Sequence, residues 1–169
     1  MHKLIYSIIL ISTILFSSTI QTGIVKKIVD GDTLKTYKHN IRFAYIDTPE
    51  SKRNKRAKKF ANQCKGITLN TIIKAGKLSS SFTKSLVSKG DKIKFKIIDT
   101  DRYNRKVAII YNNQVNINEE LISQGYAVPY YQYIPFTLKR KYKKLNQQAK
   151  SNNRGLYKIY PQVMRCLEN

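Results

Sequence analysis

The chain has 169 residues, 41% of them hydrophobic, which suits one globular domain and excludes a disordered polypeptide. Lysine and arginine number 32 against 10 aspartates and glutamates, a formal net charge of +22. Such a surface attracts polyanions, namely nucleic acid, anionic lipid or acidic glycan, but charge alone does not say what is done to them.

The N-terminus has the order of a signal peptide. A weakly positive start precedes an apolar run from Leu4 to Phe16, and small residues follow it. This pattern predicts a leader over residues 1–21, cleaved somewhere within about residues 18–22, and therefore an exported protein, either secreted or periplasmic. An uncleaved membrane anchor stays open as the alternative. After cleavage we expect no stable membrane partner.

Three strands are predicted after the leader. Gly23 to Val29 is rich in Ile and Val, and Leu34 to Tyr37 resumes after the turn-like segment Asp30 to Thr33. A third strand, Ile41 to Ile46, follows a hairpin loop. Pro49 comes soon after it and prevents its continuation, because proline lacks the amide donor that a strand requires.

The middle of the chain predicts a loop, a helix and a strand. Ser51 to Lys59 is rich in lysine and arginine and is interpreted as a charged loop. Apolar residues at i, i+4 and i+8 then indicate a helix that Gly90 ends. These residues are Leu78, Phe82 and Leu86. Asp91 to Asp99 alternates strictly, which is typical of a half-buried strand with a lysine-rich outer face.

The last third predicts a hairpin and two helices. Val107 to Tyr111 and Gln114 to Ile117 flank an Asn-Asn turn. Asn118 is expected to cap a short helix, and Thr137 a longer one. Between them, Tyr126 to Pro135 is rich in tyrosine and proline and is interpreted as a loop.

The order of elements predicts an α+β fold, mainly β: a five-stranded, partly open barrel of the oligonucleotide-binding (OB) type with about three helices. This domain would span residues 22–158 and leave 159–169 as a C-terminal tail. The chain has two cysteines, Cys64 and Cys166. A disulfide and two unpaired thiols both stay open, because sequence cannot place their Cα atoms.

Acidic residues cluster in one short segment. Asp30, Asp32, Asp47 and Glu50 are four of the ten in the chain. Asp32 lies in the turn between the first two strands and Asp47 at the end of the third, so neighbouring strands can bring them to one rim. Two carboxylates and a backbone carbonyl make an oxygen site suited to Ca²⁺, whereas the histidine and cysteine cluster that zinc prefers is lacking. Asp30 is interpreted as a turn residue.

Two arginines accompany these carboxylates. Arg42 lies in the third strand, five residues before Asp47, and Arg105 lies in a second cationic turn that begins at Asp101. Planar guanidinium groups bind phosphate oxygens in pairs and keep their charge at any working pH. They therefore suit the charge of a phosphoryl-transfer transition state.

Four motifs occur in order: Asp30-Gly31-Asp32-Thr33, the run from Ile41 to Glu50, Asp101-Arg102-Tyr103-Asn104-Arg105, and Gln124-Gly125 with the tyrosines after it. In these motifs the chain resembles the staphylococcal nuclease (thermonuclease) family over roughly residues 22–157. A single motif of this kind would be weak support, but four in the same order are specific.

The resemblance implies an endonuclease that uses one Ca²⁺ ion to hydrolyse DNA and RNA, favours single-stranded or frayed regions, leaves 3′-phosphate ends and acts as a monomer. By position, the metal ligands would be Asp32, Asp47 and the carbonyl of Thr48. The catalytic residues would be Arg42, Glu50 and Arg105, with Glu50 activating or positioning the attacking water. The substrate-binding residues would be Arg102, Tyr103, Tyr131 and Tyr133.

Two other functions are compatible with the positive charge of the chain. A non-catalytic nucleic-acid-binding module on the same barrel would explain the charge, although degenerate modules of this family typically lose the acidic and arginine residues present here. A cationic membrane-binding protein would leave the acidic cluster unexplained. The chain also departs from compact members of the family, because residues 51–76, directly after Glu50, form a longer segment that contains Cys64.

Overall fold

The computed structural model describes residues 20–168. Its strands are β1 (Ile20–Asp30), β2 (Thr33–Thr36), β3 (Asn40–Phe43), β4 (Ile46–Asp47), β5 (Lys92–Thr100), β6 (Lys106–Asn112), β7 (Val115–Asn116) and β8 (Val128–Pro129). Its helices are α1 (Lys55–Gln63), α2 (Leu69–Leu86), α3 (Ile117–Ser123), α4 (Phe136–Ser151), α5 (Leu156–Ile159) and α6 (Pro161–Leu167). A 3-10 turn covers Tyr131–Tyr133. The predicted leader lies outside the described residues, apart from its last two positions, which begin β1.

Five strands close into a barrel, and this confirms the predicted architecture. The sheet has the order β3-β2-β1-β5-β6-β7, and β3 pairs with β6 in parallel to close it. In that pairing Arg42 lies opposite Val107. A separate ribbon joins β4 to β8.

Alternation along β5 places the core inside the barrel. Ile93 and Phe95 are fully buried, and Lys92 and Lys94 point outward, as the sequence predicts. A second apolar cluster lies under the helices and includes Ile72, Val128, Leu156 and Met164. Within residues 20–168, no helix has both the length and the apolar content needed to cross a membrane.

Helix α1 replaces most of the loop predicted for residues 51–59, so that prediction is wrong from Lys55 onward. Asn54 caps the helix, because its side chain accepts a hydrogen bond from the amide of Ala57 at 2.8 Å. Ala57 and Cys64, two turns apart, are buried. In the sequence, these few buried positions are hard to recognise among the many lysines of the exposed helix face.

Three local predictions are also corrected. Tyr45 has a left-handed backbone (φ 67°), which divides the predicted third strand into β3 and β4. Asn116, rather than Asn118, caps α3, and the buried Asn118 side chain instead bonds the backbone of three residues in or beside the barrel. Helix α4 begins after Pro135 without a side-chain cap, so Thr137 does not cap it.

The C-terminal segment packs on the body of the protein. In α6, Val163 and Met164 are buried. A disulfide joins Cys64 at the end of α1 to Cys166 in α6, with their Cα atoms 5.9 Å apart. The question that the sequence left open is therefore answered in favour of the disulfide, and α1 and α6 are held together.

Candidate active site

The turn between β1 and β2 positions Asp32. Gly31 in this turn packs tightly against α2, since a Cβ at Gly31 would lie 2.8 Å from the Cβ of Ser79. Asp32 as a whole is only 4% exposed. Its Oδ2 accepts hydrogen bonds from the amide of Thr48 at 3.2 Å and from the hydroxyl of Thr48 at 2.9 Å. The turn is therefore tied directly to the segment that follows β4.

Arg42 joins the two predicted metal-binding carboxylates. Its guanidinium forms an ion pair with Asp32 and donates to Asp47 Oδ1 at 2.7 Å and to the Ile46 carbonyl at 3.2 Å. The structure thus brings together Asp32, Arg42, Asp47 and Thr48, which are 16 residues apart at most, at one rim of the barrel.

The electrostatics of this group favour charged forms. Burial alone would raise the pKa of Asp32, but the adjacent Arg42 guanidinium outweighs burial and lowers that pKa below its usual range. Burial likewise opposes the charge of Arg42, but the carboxylates of Asp32 and Asp47 outweigh burial and raise the Arg42 pKa above its usual value. The site therefore keeps a buried positive charge flanked by two negative ones.

Asp30 behaves as a turn residue. Its Oδ1 accepts from the amide of Gly31 at 2.9 Å and from the hydroxyl of Ser80 at 3.2 Å. Burial, reinforced by the negative charge of Asp32, raises the pKa of Asp30. Its contacts therefore attach the turn to α2.

Glu50 is held from two sides. Its backbone packs against α2 at Gly76, where a Cβ would lie 2.3 Å from the Glu50 carbonyl carbon. Its side chain accepts from Asn54 Nδ2 at 2.6 Å and pairs with Arg56 Nη1 at 2.9 Å. Burial raises the pKa of Glu50, opposed by the Asn54 hydrogen bond and by the charge of Arg56.

Arg56 is a residue that the sequence analysis missed. Besides Glu50, its guanidinium contacts Asp47 Oδ1 at 2.6 Å, so it bridges two predicted site carboxylates from α1. In the sequence it is one of several cations between Lys52 and Lys59. Only the helix that directs it back toward Glu50 distinguishes it from the others.

The second cationic turn is organised by Asp101. Its Oδ1 accepts from the amides of Tyr103 and Arg105, both at 2.9 Å, and its Oδ2 accepts from Arg105 Nε at 2.7 Å. Asn104 adopts the left-handed backbone that the turn requires, φ 57°. The guanidinium groups of Arg102 and Arg105 lie 4.9 and 5.5 Å from the Tyr103 ring centre.

Arg105 pairs with Asp101 and not with the carboxylates around Arg42, as far as the described residues show. The register nevertheless places it nearby, because Lys106, the next residue, lies opposite Ile41 in the parallel pairing. Arg42 and Arg105 therefore approach the same side of the barrel from neighbouring strands.

The tyrosine segment lies beside Asp47. Val128 pairs with Asp47, and the amide of Tyr130 donates to the Tyr45 carbonyl at 2.8 Å. Tyr133 is 62% exposed, and its ring meets that of Tyr130 edge-on at 4.8 Å. Tyr130 was not singled out from the sequence, although it lines the same cavity as Asp47 and Glu50.

The chain is similar to a known family and to several known proteins. Residues 40–159 match the model of the family described as staphylococcal nuclease homologue. The chain is 32% identical to endonuclease YhcR of Bacillus subtilis, over 64% of the chain and 9% of that protein. It is 31% identical to the prophage-derived endonuclease YokF of Bacillus subtilis, over 76% of the chain and 41% of that protein. It is also 34% identical to an uncharacterized protein of Methanocaldococcus jannaschii over 80% and 70%.

The chain thus spans less than half the length of the two endonucleases. The family match, in contrast, runs from β3 to the end of α5 and covers most of the chain. On this match and the arrangement of Asp32, Arg42 and Asp47, the chain belongs to the staphylococcal nuclease homologue family.

Proposed function

We propose that this protein is a calcium-dependent endonuclease that hydrolyses phosphodiester bonds in DNA and RNA. The observation that carries the proposal is the convergence of Asp32 and Asp47 on the Arg42 guanidinium at one rim of the barrel. A passive nucleic-acid binder has no need to bury two carboxylates in a basic protein.

The residues present fit a calcium ion. Asp32 and Asp47 approach a single cationic group, so one cation between them would be within reach of both. Among the described residues no three Asp, Glu, His or Cys side chains form a metal cluster, so the Thr48 carbonyl and water would complete the oxygen ligands. When bound, calcium would stabilise negative charge on a phosphate oxygen.

The chain's own groups supply the rest of the chemistry. Glu50, which Asn54 and Arg56 orient, would take a proton from the water that attacks phosphorus. Arg42, once released from the carboxylates of Asp32 and Asp47, would bind a phosphate oxygen. Arg105 donates to Asp101 from Nε and Nη2, and its Nη1, which has no partner within residues 20–168, would bind the phosphate. Water oxygen bonds to phosphorus as the P–O5′ bond breaks, so the phosphate stays on the 3′ side. The 5′ oxygen leaves as a hydroxyl after taking a proton from solvent.

The surface around these groups suits single-stranded substrates. Tyr131 and Tyr133 offer exposed rings on which unpaired bases can stack, and Tyr103 with Arg102 offers a second aromatic and cationic contact. Bases in a duplex are already stacked, which favours single strands or frayed ends. We further propose that the protein acts as an exported monomer after removal of its leader.

Hydrolysis of single-stranded DNA and RNA by the purified full chain, with calcium or with chelator, tests this function. We expect calcium-dependent fragments with 3′-phosphate ends. Glu50→Gln should lower turnover about 10²–10⁴-fold, whereas Glu119→Gln, the same change on the distant helix α3, should not. Binding of intact oligonucleotides without cleavage under both conditions would instead indicate a non-catalytic module.

Localisation needs its own measurement. N-terminal sequencing of the protein recovered outside the cytoplasm should start near residues 18–22. Recovery of the chain in the membrane fraction with Met1 intact would contradict cleavage.

A further inference from the structure

A cavity of about 470 Å³ opens beside the candidate active site. Asp47, Glu50 and Arg56 line one side of the cavity, so the cavity is continuous with the place where the scissile phosphate would lie. Its volume is within the usual range for small-molecule sites, roughly 300–1,000 Å³.

The far walls of the cavity are aromatic and amide groups. Phe60 and Gln63 come from α1, and Tyr130 comes from the segment after β8. The Cys64–Cys166 disulfide also contributes to the lining. Two flat rings and one side-chain amide are the groups with which proteins stack on a nucleobase and bond its edge.

Helix α1 is fixed at both ends, so this wall is preorganised. Its first turn is tied to Glu50 through Asn54 and Arg56, and the residue after its last turn is Cys64 of the disulfide. A wall held in this way loses little conformational entropy when it binds a ligand.

We propose that this cavity binds the base of a nucleotide adjacent to the scissile phosphate and that Gln63 determines which base is preferred. The proposal rests on the proposed nuclease function. Arg56, which lines the cavity and contacts Glu50, binds a phosphate of the same strand.

The cavity is distinct from the tyrosine surface. Tyr131 and Tyr133 do not line it, whereas Tyr130 does and also contacts the Tyr133 ring. Tyr130 therefore separates two base-binding places. A strand crossing the site would put one base against the exposed tyrosines and another in the cavity.

Cleavage of a randomised single-stranded DNA library, followed by sequencing of the fragment ends, tests the assignment. We expect the wild type to prefer certain bases at one position beside the cut, and Gln63→Ala to reduce that preference roughly 3- to 10-fold. Asn62→Ala removes an exposed amide from the same helix outside the cavity and should leave the preference unchanged. An identical base profile for wild type and Gln63→Ala would overturn the proposal.

Oligonucleotide affinity in chelator, measured by fluorescence anisotropy, gives a readout that does not need turnover. Phe60→Ala should weaken binding about 5- to 150-fold, the range for loss of one stacked base. Phe60→Leu lacks the ring but keeps an apolar side chain, so it is the control for packing of the helix. Unchanged affinity in a folded Phe60→Ala variant would also overturn the cavity assignment. A wild type that binds but does not cleave would refute only the nuclease function.

Discussion

Replacing both Cys64 and Cys166 by serine removes the covalent link between α1 and α6. The two residues are 102 positions apart, so the disulfide closes most of the chain into one loop. In the chain-entropy account, closing a loop of this size destabilises the unfolded state by about 4–5 kcal/mol. Most of that stabilisation should be lost in the double variant.

The loss corresponds to a melting temperature about 8–20 °C lower, since 1 kcal/mol shifts a domain of this size by roughly 2–4 °C. Differential scanning calorimetry with and without a thiol reductant measures it. The reductant should lower the melting temperature of the wild type to that of the double variant and leave the variant unaffected. Melting temperatures within about 2 °C for oxidised wild type and double variant would refute the reasoning.

Three further substitutions test packing and charge. Gly76→Ala would place a Cβ 2.3 Å from the Glu50 carbonyl carbon, so we expect turnover on single-stranded DNA to fall at least about 10-fold. The buried hydroxyl of Tyr142 has no hydrogen-bond partner among the described residues, so Tyr142→Phe should leave the urea-unfolding free energy unchanged or raise it by about 1 kcal/mol. Burial opposes ionisation of Glu168, but the hydrogen bonds from Tyr157, Lys150 and Asn146 together outweigh burial and lower the Glu168 pKa. The stabilisation by ionised Glu168 is present above the ordinary glutamate pKa of 4.5 and is lost as pH falls. The melting temperature of Glu168→Gln should therefore approach that of the wild type below about pH 4.

Each of these has a matched control. Lys77→Ala changes an exposed neighbour on α2 and should keep full turnover, and equal turnover in Gly76→Ala would contradict the role of the close approach. Tyr157→Phe removes the one hydroxyl proton that Asn146 Oδ1 and Glu168 Oε1 share, at 2.7 and 2.6 Å, and should cost about 1–3 kcal/mol where Tyr142→Phe costs nothing. A pH-independent deficit for Glu168→Gln would argue against ionisation as its cause.

The barrel is predictable because its signals are local. The alternation of Ile93 and Phe95 with lysines specifies one buried face, and the Asp30–Thr33 turn marks the boundary between two strands. The caps were less predictable. Asn116 and Asn118 are both suitable N-cap residues. Asn118 lies in the core because its side chain accepts from the Ile110 amide and donates to the Ala44 carbonyl, contacts that only the folded barrel creates.

The sequence by itself determined the family, since residue type and spacing in four ordered motifs are sufficient for that, and it predicted the acidic cluster, Arg42 and Arg105 as the candidate site. Tertiary structure alone decided that Arg56 returns from α1 to Asp47 and Glu50 and that Cys64 meets Cys166. These contacts depend on how α1 and α6 pack over the barrel. The lysine-rich segment of α1 carries little local information about such packing, because Ala57 is its one buried position.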